Sequence, residues 1–321
     1  MPPIEVTMIL EQRFGAAQVA VRAADELLAL ANAAGSTTIG ALRRDIYMTA
    51  WYQISQKHAV GSLVNLLNTL LIALEPIQSV RVAQRVLVDV VTTFRQQLIQ
   101  RVPDTANHSM SILSQCKTVM LYGYSTTVLY ALQHALRNGQ RIDVVCVAAN
   151  DQRAHSALGE RIAAIGLTVN AIEYPAAAAT INGVDAVVVG ADTLDVYGLT
   201  NTAGTAALAT LAHAHLVPFY SFCTSEKFLP SAFFQRGWTI LSFDGPNTPD
   251  ESHYPTAYDV TPIERVSGVI TERGSLPAPA IEAWLAAERI HPWLRGRGAL
   301  LDMPYRCGLR RDNQSDEPGD A

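Results

Sequence analysis

The chain has 321 residues, 49% of them hydrophobic and 17% charged, with a formal net charge of −5. That length suits one large domain or two ordinary ones with a substantial core. The acidic balance argues against direct nucleic-acid binding, since no Lys/Arg run exceeds the pairs Arg43-Arg44 and Arg310-Arg311, and no apolar run reaches the ~18 residues of a membrane helix. The N-terminus carries no signal-peptide pattern, and Cys116, Cys146, Cys223 and Cys307 show no close pairing. A reduced, cytoplasmic protein without disulfides is expected.

Residues 8–101 read as helices. Val19, Ala23, Leu27 and Leu30 share one face of the first, over about 15–32. A second runs over about 38–55 after Ser36-Thr37-Thr38, and a third over 60–74 with Leu63, Leu66, Leu67, Leu70 and Leu71 at helical spacing, stopped by Pro76. A fourth covers about 80–100, and Pro103 through Asn107 reads as a boundary. The expected units are a helical N-terminal subdomain (1–105), an α/β domain (106–307) and a polar, disordered tail (308–321).

From residue 116 strands and helices alternate. Thr118–Tyr122 is a strand, and Gly123-Tyr124-Ser125-Thr126-Thr127 turns into a helix that stops at Asn138-Gly139. Strand 142–147, helix 154–164, strand 167–172, short helix 175–180 and strand 184–189 follow, then helix 205–215 and strand 218–222. A short strand at 238–243 and helical structure over 262–288 complete the reading. Such units imply right-handed crossovers and a parallel sheet covered on both faces.

The chain is organised around residues 184–205. Val187, Val188 and Val189 read as a strand buried on both faces, ending at Gly190-Ala191 with Asp192 next. That position is the carboxyl edge of a parallel sheet, where ligands bind. Asp192 is either the working carboxylate of a small-molecule site or the cap of the next turn. The turn 123–127 offers backbone N–H groups and the hydroxyls of Ser125, Thr126 and Thr127 to a phosphate at a helix N-terminus; otherwise Ser125 is simply an N-cap. The loop 198–205, with Asn201 and the Gly204-Thr205 amides, is a second anion candidate with the same alternative. No metal-ligand spacing appears, because His213 and His215 do not share a helix face. Cys146 and Cys223 read as buried thiols, though Cys223 lies close enough to a strand end to face the cleft.

Several segments together resemble one family. It comprises the regulatory alpha, beta and delta subunits of eukaryotic initiation factor 2B, their bacterial and archaeal counterparts, and two isomerases, acting on methylthioribose-1-phosphate and ribose-1,5-bisphosphate. The resemblance runs from about residue 13 to 290. Arg13-Phe14-Gly15-Ala16-Ala17 is similar to the family's Arg-Gly-Ala helix start, with Phe14 inserted. Lys57 to Asn65 resembles an Arg-Pro segment ending in Asn, and Met120–Leu129 resembles a Leu-Thr-His-Ser-Tyr-Ser turn. Arg153–Gly159 resembles Glu-[Ser/Thr]-Arg-Pro with one extra residue. Gly190-Ala191-Asp192 resembles Gly-Ala-[Asp/Glu], and Asn201-Thr202-Ala203-Gly204-Thr205 resembles Asn-Lys-Ile-Gly-Thr. Pro218-Phe219-Tyr220, Tyr258 to Pro262 and Thr271 to Gly274 complete the set.

The resemblance implies a helical N-terminal subdomain, a Rossmann-like parallel-sheet C-terminal domain, a ligand cleft between them, homodimerisation, and no cofactor. It assigns acid/base catalysis to Asp192, and contact with a phosphorylated sugar or related small molecule to Arg13, Gly15, Ala16, Lys57, Gly123, Tyr124, Ser125, Thr126, Arg153, Asn201, Thr202, Gly204 and Thr205. The sequence departs from the isomerases at three positions. Their catalytic cysteine is Gly123 here, their phosphate-binding lysine is Thr202, and the Arg-Pro arginine is Lys57. Gly123 cannot transfer a proton. Either Tyr122, Tyr124 or Cys223 has taken over, or the reaction differs, or the chain binds a ligand without turnover, as initiation-factor-like members would.

Overall fold

The computed structural model describes residues 16–32, 38–56, 61–148, 159–233, 238–240, 258–287, 289–295 and 309–311. Four helices come first: α1 (Ala16–Asn32), α2 (Ile39–Gln56), α3 (Gly61–Leu74) and α4 (Val80–Leu113). Thr38 caps α2, its hydroxyl accepting from Ala41 N at 3.2 Å. Leucine spacing gives α3 a face that is buried almost throughout. Leu27, Leu42, Ile46, Leu63, Leu67, Leu87 and Val91 share one apolar core with Leu229, Phe233, Ile290 and Leu294 from late in the chain. Arg43 closes the carboxyl end of α3 by donating to the carbonyls of Leu74, Glu75 and Ile77 at 3.1, 3.0 and 2.7 Å.

The main sheet has the order β11-β10-β7-β4-β1-β2-β3. Its strands are β1 (Thr118–Tyr122), β2 (Asp143–Val147), β3 (Val169–Ile172), β4 (Ala186–Val189), β7 (Phe219–Phe222), β10 (Gly268–Thr271) and β11 (Gly274–Leu276). All neighbours pair in parallel except the edge pair β10–β11. Alternate residues feed two cores. Val119, Leu121, Val144, Cys146 and Val188 pack under α4 and α5 (Thr126–Arg137), together with a helix at 159–164. Met120, Tyr122, Val145, Val187 and Val189 pack under α6 (Thr205–Ala214) and α7 (Ala278–Ala287). The fold is therefore α/β, with a helical region and a mostly parallel sheet covered on both faces.

Several expectations are corrected. The helix expected over 80–100 continues to Leu113, straight through Pro103, so the expected boundary at 103–107 is helical and the link to the sheet is the short turn 114–117. Leu87 and Val91 of α4 lie in the first core, whereas Ala106 and Leu113 lie in a sheet core. The region expected as helix over 262–288 is helical only in part: β10 and β11 form an edge hairpin, Ile263–Arg265 is a 3₁₀ turn, and Ala278–Ala287 is α-helical. Gly268-Val-Ile-Thr is short and fully buried, a pattern that periodicity cannot separate from helix. The polar stretch 198–205 is a loop only at its end. β5 (Thr193–Asp195), β6 (Gly198–Thr202) and β9 (Tyr258–Thr261) make an antiparallel three-stranded sheet. In the tail, β12 (Leu309–Arg311) pairs antiparallel with β8 (Trp238–Ile240); the remainder of 308–321 lies outside the described residues.

Two helices end in the same way with different residues. After α5, Gly139 N bonds Leu136 O and Gln140 N bonds Ala135 O, with Gly139 left-handed at φ 84°. After α6, Leu216 N bonds His213 O and Val217 N bonds Ala212 O, with Leu216 at φ 59°. Both are Schellman ends, whose C′ position favours glycine because a side chain there crowds the backbone. Leu216 is 91% exposed, so its side chain contributes little packing in return. Leu216→Gly should raise unfolding stability by about 0.5–1 kcal/mol, read by urea denaturation.

Candidate functional site at the carboxyl edge of the sheet

From β1 the chain proceeds outward to β2 and β3; from β4 it proceeds the other way to β7 and β10. The carboxyl ends of β1 and β4 therefore flank a topological switch point, where connecting loops diverge and leave a crevice. Gly123 follows β1, and Gly190-Ala191-Asp192 follows β4. The two tips touch. A Cβ at Gly190 would lie 2.6 Å from both Cβ and Oγ of Ser125. A Cβ at Gly123, which has φ 74°, would lie 3.0 Å from Thr202 Oγ1 and 3.7 Å from Asn201 Nδ2. Three predicted segments, 123–126, 190–192 and 201–202, thus converge on one place. Residues 123–126 are half-buried there.

Asp192 stands half-buried between the β4 tip and β5, its N–H bonded to Thr200 O at 2.9 Å. Burial pushes its carboxyl up to about 6, against the attraction of the Lys227 ammonium. Lys227 is almost fully buried, on a 3₁₀ turn, Ser225–Lys227, just past β7. The Tyr258 phenol also feels Asp192; burial and that charge push it up to about 12. Lys227 does not emerge from the sequence reading, and Tyr258 does so only as the start of the Tyr258–Pro262 segment. Lys227 lies 35 residues beyond Asp192 on another strand end, and only the parallel pairing of β4 with β7 brings their tips together.

The helical region roofs this edge. Gly61 N, at the start of α3, donates to Thr193 Oγ1 at 2.9 Å. A Cβ at Gly61 would fall 2.1 Å from the Lys227 carbonyl oxygen, so the helix start lies directly on the turn.

Other expected contacts are committed within the protein. Ser125 Oγ accepts from Val128 N at 3.3 Å and caps α5. The N–H groups of Thr126 and Thr127 belong to the first turn, which has no intrahelical acceptor. At α6 the expected anion site already holds an anion. Asp259 Oδ2 accepts from Gly204 N at 2.8 Å and Ala206 N at 3.1 Å, so the Gly204 amide assigned to a phosphate is occupied. The Thr205 hydroxyl donates to Thr202 O at 2.5 Å and accepts from Asn201 Nδ2 at 3.2 Å. Among the three candidates to replace a cysteine at 123, Tyr122 is 2% exposed, donates to Ala203 O and is pushed up chiefly by burial. Cys223 is fully buried and pushed up to about 12. Tyr124 alone of the three is half-exposed. Arg13, Gly15, Lys57 and Arg153 lie outside the described residues, and Ala16 is the first residue of α1. Among the described residues, no cluster of His, Cys, Asp or Glu could hold a metal, and no helix is long and apolar enough to cross a membrane.

Residues 12–278 match the model of the initiation factor 2 subunit family. The chain belongs to that family. Among its relatives, the ribose 1,5-bisphosphate isomerase of Archaeoglobus fulgidus is 30% identical over 181 residues, 54% of this chain and 58% of that protein. This chain thus aligns with little more than half the length of that relative. The ribose 1,5-bisphosphate isomerase of Haloferax volcanii is 27% identical over 277 residues, 83% of this chain and 85% of that one. Among solved structures, the translation initiation factor eIF-2B of Pyrococcus horikoshii OT3 superposes with a TM-score of 0.71 at 22% identity, covering 87% of this chain and 98% of that one. That likeness establishes the shared fold.

The Asp192 environment has a consequence for stability. An unfolded aspartate ionises near pH 4, whereas the folded one keeps its proton to about pH 6. The native state binds more protons across that window, so stability falls as pH rises from 4 to 6, and above 6 the full cost remains. Asp192→Asn should be more stable than wild type at pH 8 by on the order of 2 kcal/mol, with the difference vanishing near pH 4. Urea denaturation at several pH values measures it.

Proposed function

We propose that this protein binds a phosphorylated pentose or a close analogue in the crevice between β1 and β4 and interconverts its aldose and ketose forms. Asp192 is the acid/base. Moving a carbonyl between neighbouring carbons requires a group that takes a proton from one and returns it to the other. Such a group works best with a pKa near the operating pH, and the observation that carries the reading is a half-buried carboxyl at about 6 at the switch point. Lys227 supplies positive charge for a phosphate or a developing oxyanion in a site of low polarity. The names of the archaeal relatives support the substrate class.

Of the three departures from the isomerases that the resemblance implies, two bear on the chemistry we propose. Gly123 contributes no titratable group, and Thr202 contributes a hydroxyl where a lysine would bring charge. Tyr124 is the group we assign to the second proton transfer, because Tyr122 and Cys223 are buried. The same two positions favour a second reading, a ligand-sensing protein of the initiation-factor-2B kind that binds a phosphosugar without turnover. Both readings carry an expectation of homodimerisation.

Titration calorimetry with ribose 1,5-bisphosphate and methylthioribose 1-phosphate, followed by ¹H and ³¹P NMR of each mixture, separates them. We expect one to bind and to be converted, with Asp192→Asn binding it but losing turnover by a factor of about 10²–10⁴. Binding with no conversion would establish the second reading, and failure of every phosphosugar to bind would remove both.

A further inference from the structure

The turn that carries Lys227 is anchored at nearly every residue. Thr224 Oγ1 donates to Glu226 Oε1 at 2.5 Å, Lys227 N to Thr224 O at 3.1 Å, and Phe228 N to Ser225 O at 3.0 Å. From the tip of β10, Glu272 accepts from Ser225 N at 3.0 Å and from the Ser225 hydroxyl. Leu229 N then bonds Leu194 O at 2.8 Å, so the segment after the turn runs beside β5, two residues from Asp192.

Two side chains from the helical region complete the anchorage. Asn65 of α3 donates through Nδ2 to the carbonyls of both Glu226 and Phe228, at 2.7 and 2.6 Å, bracketing Lys227. Arg101 of α4 lies between two carboxylates, 3.4 Å from Glu226 Oε2 and 3.6 Å from Glu272 Oε1. The Glu226 side chain is 2% exposed and that of Glu272 10%. Burying two carboxylates around one guanidinium is costly, and a hydrophobic filling would often be more stable. The arrangement is better explained by the geometry it imposes than by stability.

We propose that Asn65 and Arg101 are positioning residues. Together they fix the turn 224–228 so that Lys227 is held beside the strand end that carries Asp192, and the helical region thereby completes the site. This rests on the reading of Asp192 as the working carboxylate. Asn65 acts on the main chain on either side of Lys227, and Arg101 on the carboxylates that pin the preceding residues. Neither needs to touch a substrate.

The test is the titration of Asp192 itself in the full chain, by ¹³C NMR of aspartate carboxyls, with Asp192→Asn assigning the resonance. Beside burial, the Lys227 charge is felt at Asp192 among the described residues, and the Tyr258 phenol feels Asp192 in turn. Removing the cation in Lys227→Met should raise the midpoint by about one unit. Asn65→Ala should raise it by roughly half a unit or more, and Arg101→Gln, on a different helix, should move it the same way. Arg101→Lys, which keeps a charge between the two carboxylates, should recover part of the shift. Leu71→Ala, which removes core volume from α3, should lower Tm and leave the midpoint alone. The proposal is overturned if Lys227→Met moves the midpoint while Asn65→Ala and Arg101→Gln do not, or if Lys227→Met itself leaves it unmoved. No sugar phosphate enters the experiment, so failure to bind one would count against the proposed function and leave this result standing.

Discussion

Two strands at the centre of the sheet hand the chain on in opposite directions, and the rest of the site follows from that divergence. β1 leads outward to β2 and β3, and β4 leads the other way to β7 and β10. Their carboxyl tips lie side by side with no crossover closing over them. Glycines at both tips let the backbones approach closely. A side chain at Gly190 would collide with Ser125, and one at Gly123 would crowd Thr202. Asp192, two residues past the closest contact, is left half-buried beside these tips.

Electrostatics at this edge are partly self-contained. Three helices begin beside it, and each start already has an internal partner. The α6 start holds the Asp259 carboxylate, α5 holds the Ser125 hydroxyl, and the first amide of α3 holds Thr193. Helix termini usually offer ready-made anion sites, but here much of that capacity is spent on the protein's own groups. Lys227 is therefore the cation on which the proposed reading relies among the described residues of this edge. Its low exposure strengthens any interaction it makes, because little water screens it.

The helical region and the sheet are coupled more tightly than a lid and a base. α4 supplies side chains to both the helical core and a sheet core, and α3 begins on top of the Lys227 turn. Leu229 and Phe233, from the segment beyond that turn, return to pack in the helical core. A disturbance of the helices is thus transmitted to the site through packed side chains and hydrogen bonds, which respond in discrete arrangements rather than by smooth deformation.

Much of this protein was legible in its residues. The leucine spacing of α3, the glycine stop of α5 and the valine run of β4 each determine local structure, because they depend on neighbours three to five positions away. The family motifs marked Asp192, Gly123 and Asn201, and the alternation of strands and helices implied a sheet edge to receive them. The placement of Lys227 beside the Asp192 strand end, the occupation of the α6 terminus by Asp259 and the strand character of Gly268–Thr271 were decided only by the tertiary structure. Each depends on which strand lies beside which, and a pairing between segments dozens of residues apart leaves no periodic trace in either one.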